Sequence, residues 1–193
     1  ETAITYDTTN DKVVIAYRDG GNSDYGTAVV GTVSGSTISF GTPVVFESAS
    51  TLDIGIGFDS TNGKVVIAYK DQGNSNYGTA IVGTVSGTSI SFGSAVVFET
   101  GATVYTSVAF DSTNGKTVIA YADSGDGDKG KAVVGTVSGT SISFGSIATY
   151  ANAHTVYPKA IYDSNAGKIV IAYRDQDNSK YGTAIVGTVS GTS

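Results

Sequence analysis

A fixed period limits what this chain can fold into more than any other feature. The segment Lys-x-Val-Ile-Ala-Tyr ends at Tyr17, Tyr69, Tyr121 and Tyr173, a constant interval of 52 residues with no insertion between copies. The flanking text repeats with it: Val30 to Gly35 recurs at Val82 to Gly87, Val134 to Gly139 and Val186 to Gly191. A period of this size signals a repeat architecture. One unit buries too little surface to be stable alone, so the units must pack on one another. The expected boundaries are residues 1–47, 48–99, 100–151 and 152–193. The last copy lacks its final strand, leaving a bare edge through which the chain could self-associate. With no Met, the chain is expected to be a processed product or a segment of a longer protein.

Within the second copy, Ile54 to Phe58 alternates apolar and tiny residues, which predicts a first strand, A. Ser60-Thr61-Asn62-Gly63 follows, and the Asn-Gly pair suits a tight hairpin with positive φ angles. Strand B, Lys64 to Tyr69, is apolar on both faces and so is expected to be buried on both. Asp71 to Gly78 turns the chain into strand C, Thr79 to Val85. Ser86-Gly87-Thr88 turns it again into strand D, Ile90 through Phe98, which alternates as an edge strand should. A link over Glu99 to Thr103 leads to the next copy. No window carries a 3.6-residue apolar period, so no helix of useful length is predicted.

This pattern of four antiparallel strands and a longer return connection resembles the blades of the β-propeller superfamily over all four copies. The resemblance implies an all-β fold, a β-propeller of four-stranded antiparallel blades. The chain has no Trp-Asp pair, no kelch-type Gly-Gly and no sialidase-type Asp box, so no functional residue carries over. A β-solenoid or tandem small β-sandwiches stay open as alternatives. The repeats also resemble those of bacterial and phage surface or fibre proteins, which implies an extracellular, virion-surface or cell-surface location.

Charge and composition exclude several classes of partner. There are 11 basic and 17 acidic side chains, for a net charge of −6, and no basic run that could track phosphates. Nucleic acid is therefore not an expected partner. No stretch approaches the roughly 18 apolar residues of a membrane helix, so no membrane association is expected. There is no Cys, which removes disulfides and thiolate metal sites.

Alternating strand direction places the A-to-B and C-to-D turns on one rim and the B-to-C loops and D-to-A links on the other. The first rim is nearly constant between copies, whereas the second varies. Variable loops on a constant scaffold suit a binding face. The candidate ligand contacts there are Asp24, Tyr25, Asn76, Tyr77, Asp128, Lys129, Lys180 and Tyr181 in the loops, with Tyr105, His154 and Tyr157 in the links. Arg18, Lys70 and Arg174 precede the loop aspartates and are expected to form ion pairs within the rim. The tyrosines that end strand B are expected to be core.

Asp123, Asp126 and Asp128 alternate with Gly in the third loop, a weak calcium candidate that lacks the closing Glu of an EF-hand loop. No other cofactor is expected. His154, the single histidine, cannot build a multi-His site, and Asp7, Asp59, Asp111 and Asp163 sit where turn chemistry explains them. No catalytic residue is assigned. The expected function is non-catalytic recognition or adhesion, with glycan or a surface protein as partner. The alternative is a structural spacer or fibre component; a propeller-type glycoside hydrolase is a further one.

Overall fold

The computed structural model describes residues 1–193, with fifteen β-strands, no α-helix and one 3-10 turn at Ser124–Asp126. The first copy supplies β1 (Thr2–Asp7), β2 (Lys12–Asp19), β3 (Tyr25–Ser34) and β4 (Thr37–Phe40). The second supplies β5 (Val44–Asp59), β6 (Lys64–Asp71), β7 (Tyr77–Ser86) and β8 (Ser89–Phe92). The third supplies β9 (Val96–Asp111), β10 (Lys116–Asp123), β11 (Lys129–Ser138) and β12 (Ser141–Phe144). The last supplies β13 (Ala148–Asp163), β14 (Lys168–Asp175) and β15 (Tyr181–Gly187). The protein is all-β, and every strand pairing in it is antiparallel.

The fifteen strands form one array whose path runs from β1 to β15 without returning to β1. A closed propeller is therefore not what this chain forms. An open succession of sheets agrees with the solenoid or tandem-sandwich alternative. The array bends into four sheets because β5, β9 and β13 each serve two of them. The first part of β5 pairs with β3 and its second part with β6. The segment expected to be a loop between strands D and A is thus continuous strand with register shifts at Gly26 and Gly78.

Strand D itself is split. β8 pairs with one end of β7, and the start of β9 pairs with the other. The break falls at Gly93, whose N–H donates to the Val82 carbonyl (3.0 Å). A Cβ at Gly93 would lie 1.9 Å from the Thr140 carbonyl oxygen of the next sheet. Only glycine allows that approach.

The A-to-B turns are built by aspartate rather than by Asn-Gly backbone geometry. Asp59 Oδ1 accepts from the N–H groups of Thr61 (3.0 Å) and Asn62 (2.9 Å), and Oδ2 accepts from the Asn62 amide (2.8 Å). Asp7 and Asp111 repeat the arrangement. Only the last residue of each turn, Asp11, Gly63, Gly115 or Gly167, has positive φ, where the Asn-Gly reading expected two such residues in a row.

Between sheets, a face of small residues meets a face of large ones. Val14, Ala16, Ala28 and Val30 of the first sheet form one core with Val65, Ile67, Tyr69 and Ile81 of the second. Val66, Ala68, Ala80 and Val82 pack in the same way on Ile119, Tyr121 and Val133 of the third. Val118, Ala120 and Val134 then pack on Ile169 and Ile171 of the fourth. The strand-B tyrosines are core in the middle sheets, where Tyr69 and Tyr121 are fully buried, as the two-sided apolar pattern required. Tyr17 and Tyr173 in the end sheets are half-buried.

An aromatic pair closes each junction: Phe46 with Tyr69 (5.3 Å), Phe98 with Tyr121 (5.2 Å) and Tyr150 with Tyr173 (5.5 Å). Tyr69 and Tyr121 donate their hydroxyls to Glu47 (3.0 Å) and Glu99 (2.9 Å). Tyr150 stands where the other copies have Phe, and its buried hydroxyl has no partner. Tyr150→Phe should therefore raise stability by about 1 kcal/mol, because it removes an unsatisfied buried hydroxyl while keeping the ring. Thermal or denaturant unfolding of the variant checks this.

Candidate functional site

The B-to-C loops and the bends of the long strands meet on one rim, as the alternation of strand direction requires. Thr51 N–H donates to the Asp24 carbonyl (3.1 Å), Thr103 to Asn76 (3.1 Å) and Thr155 to Asp128 (2.8 Å). Gln72 and Gln176 return bonds to the Ser50 (3.1 Å) and His154 (3.0 Å) carbonyls. Each loop is shaped by the aspartate that opens it. Asp71 Oδ1 accepts from Gly73 (2.9 Å) and Asn74 (3.1 Å), and Asp19, Asp123 and Asp175 act alike. These carboxylates are occupied in holding the backbone.

The last loop residue in each copy is left-handed: Asp24 (φ 62°), Asn76 (63°), Asp128 (59°) and Lys180 (63°). A second left-handed series lies at the bends, at Asp53 (53°), Tyr105 (58°) and Tyr157 (54°), one per crossing and 52 residues apart. Such a conformation costs roughly 1–3 kcal/mol for a non-glycine residue and persists only where its surroundings hold it. Here the holding is visible. Asp53 N–H donates to Glu1 Oε2 (2.9 Å), and the Tyr105 backbone N–H lies near enough to the Asp53 carboxylate to favour its charge. Thr106 donates its hydroxyl to the Asp53 carbonyl.

The outcome is a row running across neighbouring sheets: Glu1, Asp53, Tyr105, Tyr157. Tyr105 and Tyr157 meet edge to face with centroids 4.6 Å apart, and the Arg174 guanidinium lies 5.5 Å from the Tyr157 ring centre. Tyr157 is 57% exposed. Burial raises the Asp53 carboxyl above the usual range, with Glu1 adding to the effect, against the Tyr105 N–H and Lys70, which act the other way. Burial also raises the Tyr105 phenol, and the phenol of Tyr157 adds to this.

The structure brings together only part of the expected set. Tyr105 and Tyr157 pair directly. Lys180 and Tyr157 border one shallow depression of about 380 Å³ together with Lys159, Arg174 and Tyr173. Asp128 and His154 approach to 3.5 Å, and Lys129 pairs with Asp126 (2.9 Å). Asp24 is held by Arg18 (2.6 Å) in an exposed ion pair. Tyr25 and Tyr77 are half-buried at the starts of their strands, whereas Tyr181 is 63% exposed. Of the three rim ion pairs expected, only the Arg18 pair forms; Arg174 lies against Tyr157 instead.

Asp123, Asp126 and Asp128 do not form a group able to hold a metal ion. Asp123 and Asp126 are both bound by Lys131, which occupies the space between them. Those ammonium contacts pull the Asp126 carboxyl below its ordinary value, with Lys129 the largest influence. Glu1 and Asp53 were not among the candidates: Asp favours positive φ, but a lone Asp in a variable link does not by itself mark a bend, and nothing local ties Glu1 to a residue 52 positions away.

A second cavity, of about 210 Å³, lies among the strands of the A type. Thr2, Ile4, Gly55, Thr106 and Lys159 border it, so β1 of the first sheet and β13 of the last face the same space. No protein-family profile matches this chain, and no curated protein matches it either.

Asp53 gives a pH-dependent test. Its folded pKa is raised above the unfolded value, so its ionised form costs stability at neutral pH, and that cost disappears as pH falls below the unfolded value near 4. Asp53→Asn keeps the side chain's size and an acceptor oxygen and tolerates the left-handed backbone. The variant should melt higher than the native chain at pH 7, and the difference should shrink as pH falls through the carboxylate range. Melting curves at pH 7 and pH 3.5 measure it.

Proposed function

We propose that this chain is a non-catalytic recognition module, an open arc of propeller-type blades that presents its loop-and-bend rim to a glycan or a protein. The observation that carries the reading is the row Glu1, Asp53, Tyr105, Tyr157. One left-handed backbone geometry, repeated in register at Asp53, Tyr105 and Tyr157, displays an acidic side chain at one place and aromatic ones at the other two, with Glu1 bonded at the head of the row. A scaffold kept constant while its displayed side chains change from acidic to aromatic suits selective binding. Exposed tyrosine beside guanidinium offers stacking, cation-π and hydrogen-bonding contacts to sugar rings or peptide.

The arc reading is supported by the shared cavity. Strands β1 and β13 from the two end sheets border one space, so the stack curves toward an axis. The non-catalytic reading is supported by the carboxylates of the A-to-B turns. Asp7, Asp59 and Asp111 are buried, bonded to backbone N–H groups and placed on the rim opposite the tyrosine row.

A glycan array and a pull-down with the folded chain test the proposal. Ligands found should bind at least about fivefold more weakly to a Tyr105→Ala/Tyr157→Ala variant, from the loss of about 0.5–1.5 kcal/mol per aromatic contact. Asn62→Ala, on the opposite rim, should leave binding unchanged. An intact protein that captures nothing, or that binds equally well without both tyrosines, would overturn it.

A further inference from the structure

The two outer faces of the stack carry the two halves of the interface that already occurs three times inside it. On the fourth sheet, Val170, Ala172, Ala184 and Val186 are the equivalents of Val66, Ala68, Ala80 and Val82, which are covered by the following sheet. Val82 is fully buried, whereas Val186 is 64% exposed. On the first sheet the opposite kind of face is open. Ile38 is 43% exposed and Val33 57%, yet their equivalents Ile90 and Val85 are buried at 3% and 6% against the preceding sheet. Phe40 is 52% exposed, while Phe92 packs against Phe46 at 5.7 Å.

We propose that these two faces pair head to tail between two copies of this chain. The small Val/Ala face of one copy's last sheet takes the Ile/Tyr/Phe face of the other copy's first sheet. The interface is the internal junction repeated in trans, so its side-chain complementarity is the one the chain already uses. It is heterologous, joining unlike patches, and therefore propagates or closes into a ring instead of forming a two-fold dimer. Contiguous apolar faces of this extent are what association covers. At the rim, the pairing sets Glu1 of the second copy next to Tyr157, continuing the row described above.

One place sets the strength of the junction. Lys159 and Ile161 occupy positions held by Gly55 and Gly57 in the second sheet and by Ser107 and Ala109 in the third. Those small residues let neighbouring A strands close: a Cβ at Gly57 would lie 2.7 Å from Val108 Cγ1. The Ser107 hydroxyl even accepts from the Ala160 N–H (3.0 Å) across the third junction. Larger residues hold the trans junction apart at this inner strand, so β14 and β15 carry the contact against β2 and β3.

Sedimentation and light scattering of the full chain over a wide concentration range test the proposal. Reversible, concentration-dependent association is expected. Val186→Lys, which changes the tail face, and Ile38→Lys, which changes the head face, lie at exposed positions and should leave circular dichroism unchanged. Each variant alone should be monomeric, and an equimolar mixture should form a one-to-one pair through the single intact junction. Lys159→Ser with Ile161→Ala should tighten association at least about tenfold. A native chain that stays monomeric at hundreds of micromolar would overturn the proposal. So would variants that assemble as well as the native chain, or a mixture that fails to pair.

Discussion

Packing of a small-residue face on a large-residue face is the interaction on which the rest of this structure depends. Each sheet presents Val and Ala on one side and Ile and Tyr on the other, so a sheet can stack only in one direction. Burying a large aliphatic or aromatic side chain contributes on the order of 1.5–3 kcal/mol. No single sheet has a second layer of its own, so its strands hold their shape because a neighbour covers them. The polar details follow from this. Tyr69 and Tyr121 can extend through the core because Glu47 and Glu99 of the preceding sheet accept their hydroxyls at its edge.

The same packing frees the rim. Once the stacked faces fix where each bend lies, the side chain displayed there is not needed for the core. Asp53, Tyr105 and Tyr157 share one unusual backbone conformation while differing in chemistry. The loop aspartates, by contrast, are consumed in local turns, and Lys131 fills the space that a cation would need between Asp123 and Asp126. Resemblance to an acidic metal loop therefore ends at composition.

Much of the fold was legible in the sequence because period-2 alternation reports burial directly. Lys64 to Tyr69 and Thr79 to Val85 lie inside the observed β6 and β7. Two features were not legible, for physical reasons. The alternation of Ile90, Phe92, Val96 and Phe98 runs across the break at Gly93, whose cause is a contact with Thr140, 47 residues away. The stretch through Glu99 to Thr103 has loop-like composition, yet it pairs on both sides of its bend. The rim's make-up was visible in its variability, but Tyr105 at positive φ runs against tyrosine's own preference. The bend is fixed by contact with the neighbouring sheet, where the Thr106 hydroxyl donates to the Asp53 carbonyl. Closure, too, depends on geometry between sheets, which no local pattern encodes.

If stability resides in the faces between sheets, protection should follow the number of covered faces. Native-state hydrogen exchange resolved by residue tests this most directly. Amides of β6 and β10, in sheets covered on both sides, should exchange slowest, with those of β2 and β14 opening earlier and at lower free energy. Equal protection in all four sheets, or slowest exchange in β2 and β14, would contradict the account.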